Sequence, residues 1–290
     1  MQDKIKEFLE MPTRKCMLPS GDYKRLINST FEKYLKRYDT ISRANVIEYL
    51  NTSNYAQGTK NTVASTLCRF GREFDLLKTN DINTIMRCFP KDTKEWSKEN
   101  LKVADLDKIL DTVIKRRKLP ITNLRDALSI ALLSSFGMRV GQLIAMQRDD
   151  IRIIDNKIVV ALIRQKHNQF NTSQGDVFKV SLPENHKVGQ YSLKTLLLRY
   201  REELPKYSPA LIYGKTYDTF MTTAGMRSVI KRIGEQVQMP DLHPHAFRHY
   251  VGTKLTVEYG VEVACAMLNH STINTTKTYL NRESILDKIK

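Results

Sequence analysis

Residues 149–183 read DDIRIIDNKIVVALIRQKHNQFNTSQGDVFKVSLP, and within them the hydrophobic period of the chain changes. On either side of this stretch apolar residues recur every three or four positions, as on a helix face. Inside it, DDIRII, KIVVALI and VFKVSLP are short, β-branched runs separated by Asn156-Lys157 and by a long polar segment. The pattern predicts a small three-stranded antiparallel sheet on a helical domain, so the expected fold class is mainly α with a small antiparallel β-sheet (α+β). Residues 166–176, with Lys166 at their start, have the composition of a mobile hairpin loop.

Upstream of the strands, NLRDALSIALLSSFG (123–137) is apolar nearly all round, the pattern of a core helix, and Gly137 ends it. An amphipathic helix from about Val103, with Leu106, Ile109, Leu110, Val113 and Ile114 on its inner face, precedes it and stops at Pro120. Between the core helix and the strands lies SSFGMRVGQLIAMQRDDI, which puts Arg139 in a turn bracketed by Gly137 and Gly141. An arginine just off a buried helix is costly to desolvate unless paired, so it has either a carboxylate partner or an anionic ligand such as phosphate.

Downstream, helices are expected over Ser192–Glu203 and Thr222–Gln238. The stretch HPHAFRHYVGTKLTVEYGVEVACAMLNHSTINTTKTY (243–279) then holds four of the chain's six histidines. His245 and Arg248, three residues apart, share one helix face and can converge on one ligand. His270 and Tyr279 flank a small polar run suited to a turn and a helix cap.

The first ninety residues read as four or five helices. One spans Asp22–Tyr38, with Leu26, Ile27, Phe31, Tyr34, Leu35 and Tyr38 apolar; Ser42 caps a second through Leu50. A third covers about Lys60–Leu77, with Val63, Leu67, Phe70, Phe74 and Leu77 inside, and a short one spans Ile82–Cys88. Lys60, Arg69 and Arg72 lie off the apolar stripe, on a face that is either merely solvated or turned to a polyanion. The polar run from Pro90 to Asn100 has no periodicity. The expected organisation is a helical domain at 1–90, a linker at 91–100 and a larger domain at 101–290.

The formal net charge of +16 over 290 residues implies an anionic partner. Residues 1–96 carry 17 Lys/Arg against 12 Asp/Glu, and the remainder 30 against 19. Both halves are therefore basic, as expected if both touch one long polyanion. Nucleic acid fits better than membrane, because the cations are spread through ordinary amphipathic helices. Cys16, Cys68, Cys88 and Cys265 are scattered without a C-x-x-C pair, which argues against a zinc ribbon or disulfide framework and for buried thiols. No apolar run approaches a membrane span, and MQDKIKEFLE lacks a signal-peptide core, so a cytoplasmic protein is expected.

Arg139, Lys166, His245, Arg248, His270 and Tyr279, in that order, resemble the tyrosine recombinases, the phage integrase family that includes Xer and Cre. The resemblance rests on FGMRVGQL around Arg139, a strand-loop lysine at Lys166, HPHAFRH, MLNHSTINTTKTY and a nucleophile position at Tyr279, nine residues after His270. It covers residues from about 100 to 290 and, more loosely, the helical part before them.

The chemistry of the set is coherent on its own terms. Phosphodiester cleavage needs a nucleophile, stabilisation of the non-bridging oxygens and a proton for the leaving oxygen. A tyrosine phenol of pKa ~10 is only about a thousandth ionised at neutral pH, so it needs nearby cations or a base. Two arginines on one phosphate offer permanently charged planar forks. Arg139 and Arg248 suit that role, with His270 as a third donor.

The resemblance implies that Lys166 protonates the departing 5′ hydroxyl, that His245 assists proton movement at Tyr279, and that attack leaves a 3′-phosphotyrosyl bond. Neither cofactor nor metal is expected. The implied partner is double-stranded DNA with paired recombination sites, acted on by a homotetramer built through the C-terminal helix. A catalytically silent sequence-specific DNA-binding protein and a type IB topoisomerase-like enzyme are the rival readings. The sequence departs from the family pattern in three places: Gln142 stands where Glu or Asp is usual, Asn269 replaces a glycine, and Lys166 sits in RQKHNQ where Gly-Lys-Gly is common. Lys157 and Lys179 remain alternatives for the lysine.

Overall fold

The computed structural model describes residues 2–11, 21–90, 101–116, 120–163 and 177–269. They form two compact units, one of residues 2–90 and one of residues 101–163 with 177–269.

The first unit has five helices: α1 (Gln2–Glu10), α2 (Gly21–Leu35), α3 (Arg43–Asn51), α4 (Gln57–Glu73) and α5 (Thr79–Cys88). Its core is aromatic. Phe31 of α2 and Phe70 of α4 have ring centroids 4.6 Å apart, and Phe8 meets Phe70 edge-on at 5.2 Å, an arrangement that adds to the area term of burying the rings. Helix α1 is not foreseen by the sequence reading, yet it closes this core with Ile5 and Phe8. Ser42 caps α3 as expected, its hydroxyl accepting from the Asn45 amide at 3.2 Å.

Three expectations need correcting. Leu26 is exposed, because the α2 stripe runs through Ile27, Phe31 and Tyr34. Leu77 is buried but lies beyond α4, where the chain turns back and packs it on Gly71; an added Cβ there would lie 2.5 Å from Leu77 Cδ1. The thiols are not uniformly buried: Cys68 is, Cys88 is exposed and Cys265 is half-buried. A short helix has room for only one inner stripe, and Cys88 falls off it.

The second unit is built on α7 (Pro120–Phe136). Fourteen consecutive residues of this helix, Asn123 through Phe136, are buried, because α6 (Val103–Ile114), α9 (Leu193–Glu203) and α11 (Pro244–Tyr259) all pack on it. A helix apolar on every side has this environment as its stable solution. At its start, Asp126 accepts from Arg125 (Nη2 at 2.8 Å) and pairs with Arg116 at 3.4 Å, while Arg116 also donates to Gln236 at 2.5 Å. Gln236 ends α10 (Thr223–Gln236), so these polar contacts tie the ends of three helices. After α7 come Gly137 at φ +57°, the short helix α8 (Val140–Ala145) and one 3-10 turn.

The sheet order is β1 (Ile151–Ile154), β2 (Lys157–Ile163), β3 (Val177–Pro183), antiparallel throughout. The expected three strands are therefore present. The hairpin turn is Asp155-Asn156, both at positive φ, and Lys157 belongs to the strand, the geometry that a two-residue connection between twisted strands requires. Ile158, Val160 and Leu162 face the core and pair with Leu182, Val180 and Phe178. Lys157 and Lys179 are exposed on the other face. A two-residue hairpin, β4 (Lys187–Val188) with β5 (Tyr191–Ser192), precedes α9 and is not marked by any alternation. Helix α12 (Val261–Met267) follows α11. Among the described residues no helix is long and apolar enough to cross a membrane.

Candidate active site

Three of the six candidate catalytic residues, Arg139, His245 and Arg248, are described. Arg139 is the N-cap of α8, extended at φ −72° and ψ 147°, and it is half-buried. Gly141 is inside α8 and not, as expected, a second flexible residue beside the turn; only Gly137 has a positive φ. Arg139 has no hydrogen bond from its guanidinium and no carboxylate partner among the described residues. Of the two roles open to it in the sequence, the ion pair is absent there.

Gln142, in α8, explains how that turn is held without an acid. Its Oε1 accepts from the Arg139 backbone amide at 2.9 Å, and the side chain is buried. An amide oxygen does the capping work of a carboxylate while leaving the local charge one unit more positive. The departure at Asn269 has a similar account. Asn269 adopts φ +49°, the left-handed region that glycine enters freely and asparagine more readily than other residues.

Arg248 lies in the buried stripe of α11, between Phe247 and Val251, with 3 % of its surface exposed. Burial of a guanidinium requires polar partners. Its Nη1 donates to the Gly137 carbonyl at 2.5 Å and its Nη2 to the Leu268 carbonyl at 2.7 Å. These two bonds set the plane of the group. They also join the end of α7 to the end of α12, two residues before His270. Gly137 must be glycine for this closure: a Cβ would come within 2.5 Å of Leu268 Cδ2.

His245, in the first turn of α11, keeps an exposed edge. The protein packed around its ring, and then the charges of Arg248, His243, Arg139 and Arg227, hold its imidazole below the ordinary histidine range. The amide ends of α11 act in the same direction. His245 is therefore neutral at physiological pH and able to take a proton. His249, one turn on, is pushed down to about 4 by burial and by His245, His243 and Arg248. His243 caps α11, with its ring centroid 6.5 Å from that of His245.

Electrostatically, three arginines and the imidazoles of His243, His245 and His249 surround one small region, which suits an anion that carries a proton-transfer problem. Arg227 and His243 were not singled out from sequence. The spacing of Arg227 and Lys231 on α10 was a visible signal, but nothing in the linear order says that α10 lies beside α11.

Sequences over residues 99–284 match the profile of the phage integrase family. The chain belongs to that family. Among curated phage integrase relatives, a tyrosine recombinase of Agathobacter rectalis is 27% identical over 187 residues, covering 60% of this chain and 55% of the relative. A tyrosine recombinase XerD of Staphylococcus haemolyticus is 26% identical over 192 residues, 65% of this chain and 60% of the relative. The chain thus spans roughly half to three-fifths of the length of the curated relatives it matches. In fold it is similar to the Tn1549 transposon integrase, with a TM-score of 0.69 at 13% identity over 99% of this chain and 98% of that one. It is also similar to lambda integrase, with a TM-score of 0.68 at 17% identity over 98% and 77%.

The other expected residues of this phage integrase chain are placed as follows. Lys166, His270, Tyr279 and the C-terminal helix lie outside the described residues, as does the 166–176 loop. In the first unit, Arg69 stacks its guanidinium 4.7 Å from the Phe8 ring centroid, Arg72 is exposed and Lys60 is half-buried. At 100° per residue, Lys60 projects from the side of α4 opposite Arg69, so the three cations do not share a face.

Proposed function

We propose that the chain is a site-specific DNA recombinase, cleaving and rejoining duplex DNA through a 3′-phosphotyrosyl intermediate, for integration, excision or resolution. The observation that carries this reading is the convergence of Arg139, Arg248 and a neutral His245, with no neutralising carboxylate on Arg139 among the described residues, in a chain of the phage integrase family. In this reading Tyr279 attacks the scissile phosphorus. Arg139, Arg248 and His270 take up charge on the non-bridging oxygens; His245 accepts the phenolic proton and Lys166 supplies one to the departing 5′ oxygen. The oxygen–phosphorus bond to the 5′ side breaks as the phosphotyrosyl bond forms, so bond energy is conserved for rejoining.

The partners proposed are duplex DNA and further copies of the chain. Support comes from proteins of the same fold: a XerH recombinase was solved bound to difH substrate before and after cleavage, and a lambda integrase as a tetramer bound to a Holliday junction. In the proposed organisation residues 1–90 are a helical DNA-binding domain, joined by the 91–100 linker to the catalytic residues 101–290, and a homotetramer assembles through the C-terminal helix. The deciding experiment is capture of a covalent complex on a nicked suicide duplex from the gene's own flanks. Wild type should form a protease-sensitive, SDS-stable adduct and Tyr279→Phe none; an adduct with Tyr279→Phe would remove the assignment.

A further inference from the structure

Arg227 and Lys231 lie four residues apart on α10, so they project from one side of that helix. Together with Val140 and the segment from Pro240 to His245 they line an open cleft of about 500 Å³. Arg227 is exposed and has no hydrogen bond or ion pair among the described residues. Lys231 has only a 3.9 Å contact with Glu235, both side chains being more than half exposed, an arrangement that neutralises little. Asp241 is the one carboxylate on the cleft wall. The positive field is not local to α10, because the charge of Arg227 is among those that depress His245.

We propose that Arg227 and Lys231 form a second phosphate site, which takes a backbone phosphate of the same DNA strand next to the one held by Arg139 and Arg248. The inference rests on the recombinase reading for its ligand. Each DNA strand presents a phosphate about every 3.4 Å along the axis. A cleft that abuts His245 and is open to solvent is therefore met by a neighbouring phosphate whenever the reacting one is seated. Arg227 supplies the planar fork and Lys231 the mobile point charge. Such a contact carries no base information; it sets the register in which the strand is presented.

The test uses the full-length chain and duplexes from the gene's flanks, each with one methylphosphonate replacing a single phosphate, assayed by binding and by covalent capture. Wild type should lose affinity at the reacting phosphate and at one or two adjacent positions. The Arg227→Gln/Lys231→Gln protein should lose the adjacent interference while keeping that at the reacting phosphate, and its log K against log salt slope should be shallower by about 1 to 2. An unchanged interference pattern and slope in the double variant overturns the site while leaving adduct formation by wild type intact. Loss of the adjacent interference in a protein that never forms an adduct would support the site and remove the recombinase reading.

Discussion

At the residue scale, the two arginines differ in what else they do, although in sequence they look equivalent. Arg139 has no other hydrogen-bonding work for its guanidinium among the described residues, whereas Arg248 bridges two carbonyls from inside the core. Arg139→Lys should therefore lower single-turnover cleavage of a suicide duplex on the order of a hundredfold or more, with the chemical-denaturation midpoint unchanged. Arg248→Lys should lower cleavage similarly and also cost about 1–3 kcal/mol of folding stability, because a lysine cannot reach both carbonyls in one plane. Equal stability of the two variants would contradict the bridging role. Neither carbonyl acceptor was legible in the sequence: they are 111 and 20 residues from Arg248 and carry no side-chain signature.

At the element scale, the site depends on how two helices end. Gly137 must take φ +57° and admit Leu268 and Val251 against its missing Cβ. Gly137→Ala should destabilise the fold by about 2–3 kcal/mol through the left-handed backbone and the steric contact, and should slow cleavage because the carbonyl that orients Arg248 moves. Denaturant melts and suicide-substrate rates check both effects. The start of α8 rests on the Gln142 side chain. Gln142→Ala should cost about 1 kcal/mol and reduce cleavage, whereas Gln142→Glu keeps the acceptor and should retain stability. If Gln142→Ala and Gln142→Glu melted alike, the capping bond would have no weight. The core helix, the three strands of the main sheet and the cap at Ser42 were readable from period and residue type. Helix α1 was not, because nine residues with two buried positions offer too short a pattern.

At the scale of the whole molecule, pH and domain independence can be measured. His249 has a folded pKa of about 4 against an ordinary 6.5 in the unfolded chain. Between those values the unfolded chain holds a proton that the folded chain does not, so this contribution to stability is complete above about pH 6.5 and is lost as pH falls towards 4. Partial exposure of the ring screens the loss to the order of 1–2 kcal/mol. A His249→Gln protein should show a flatter dependence of its denaturation midpoint over that range; the same slope in both would exclude His249 as the source. Because residues 2–90 bury their own aromatic core, a fragment of residues 1–90 should unfold cooperatively on heating, as followed by circular dichroism.

Sequence alone determined the class of the fold and the chemistry available to it. Hydrophobic periods are local, and they separated helices from strands; charge totals need no structure, and they pointed to a polyanion. The order of arginines, histidines and tyrosine was enough for the family resemblance. Tertiary structure decided what each group touches. It placed α10 beside the start of α11, so that Arg227 acts on His245, and it showed that Gln142 and Asn269 keep the backbone geometry despite departing from the family's residue types. The reason is that packing brings together groups separated by a hundred residues, and neither their distance nor the backbone atoms that satisfy a buried charge are encoded in any local pattern.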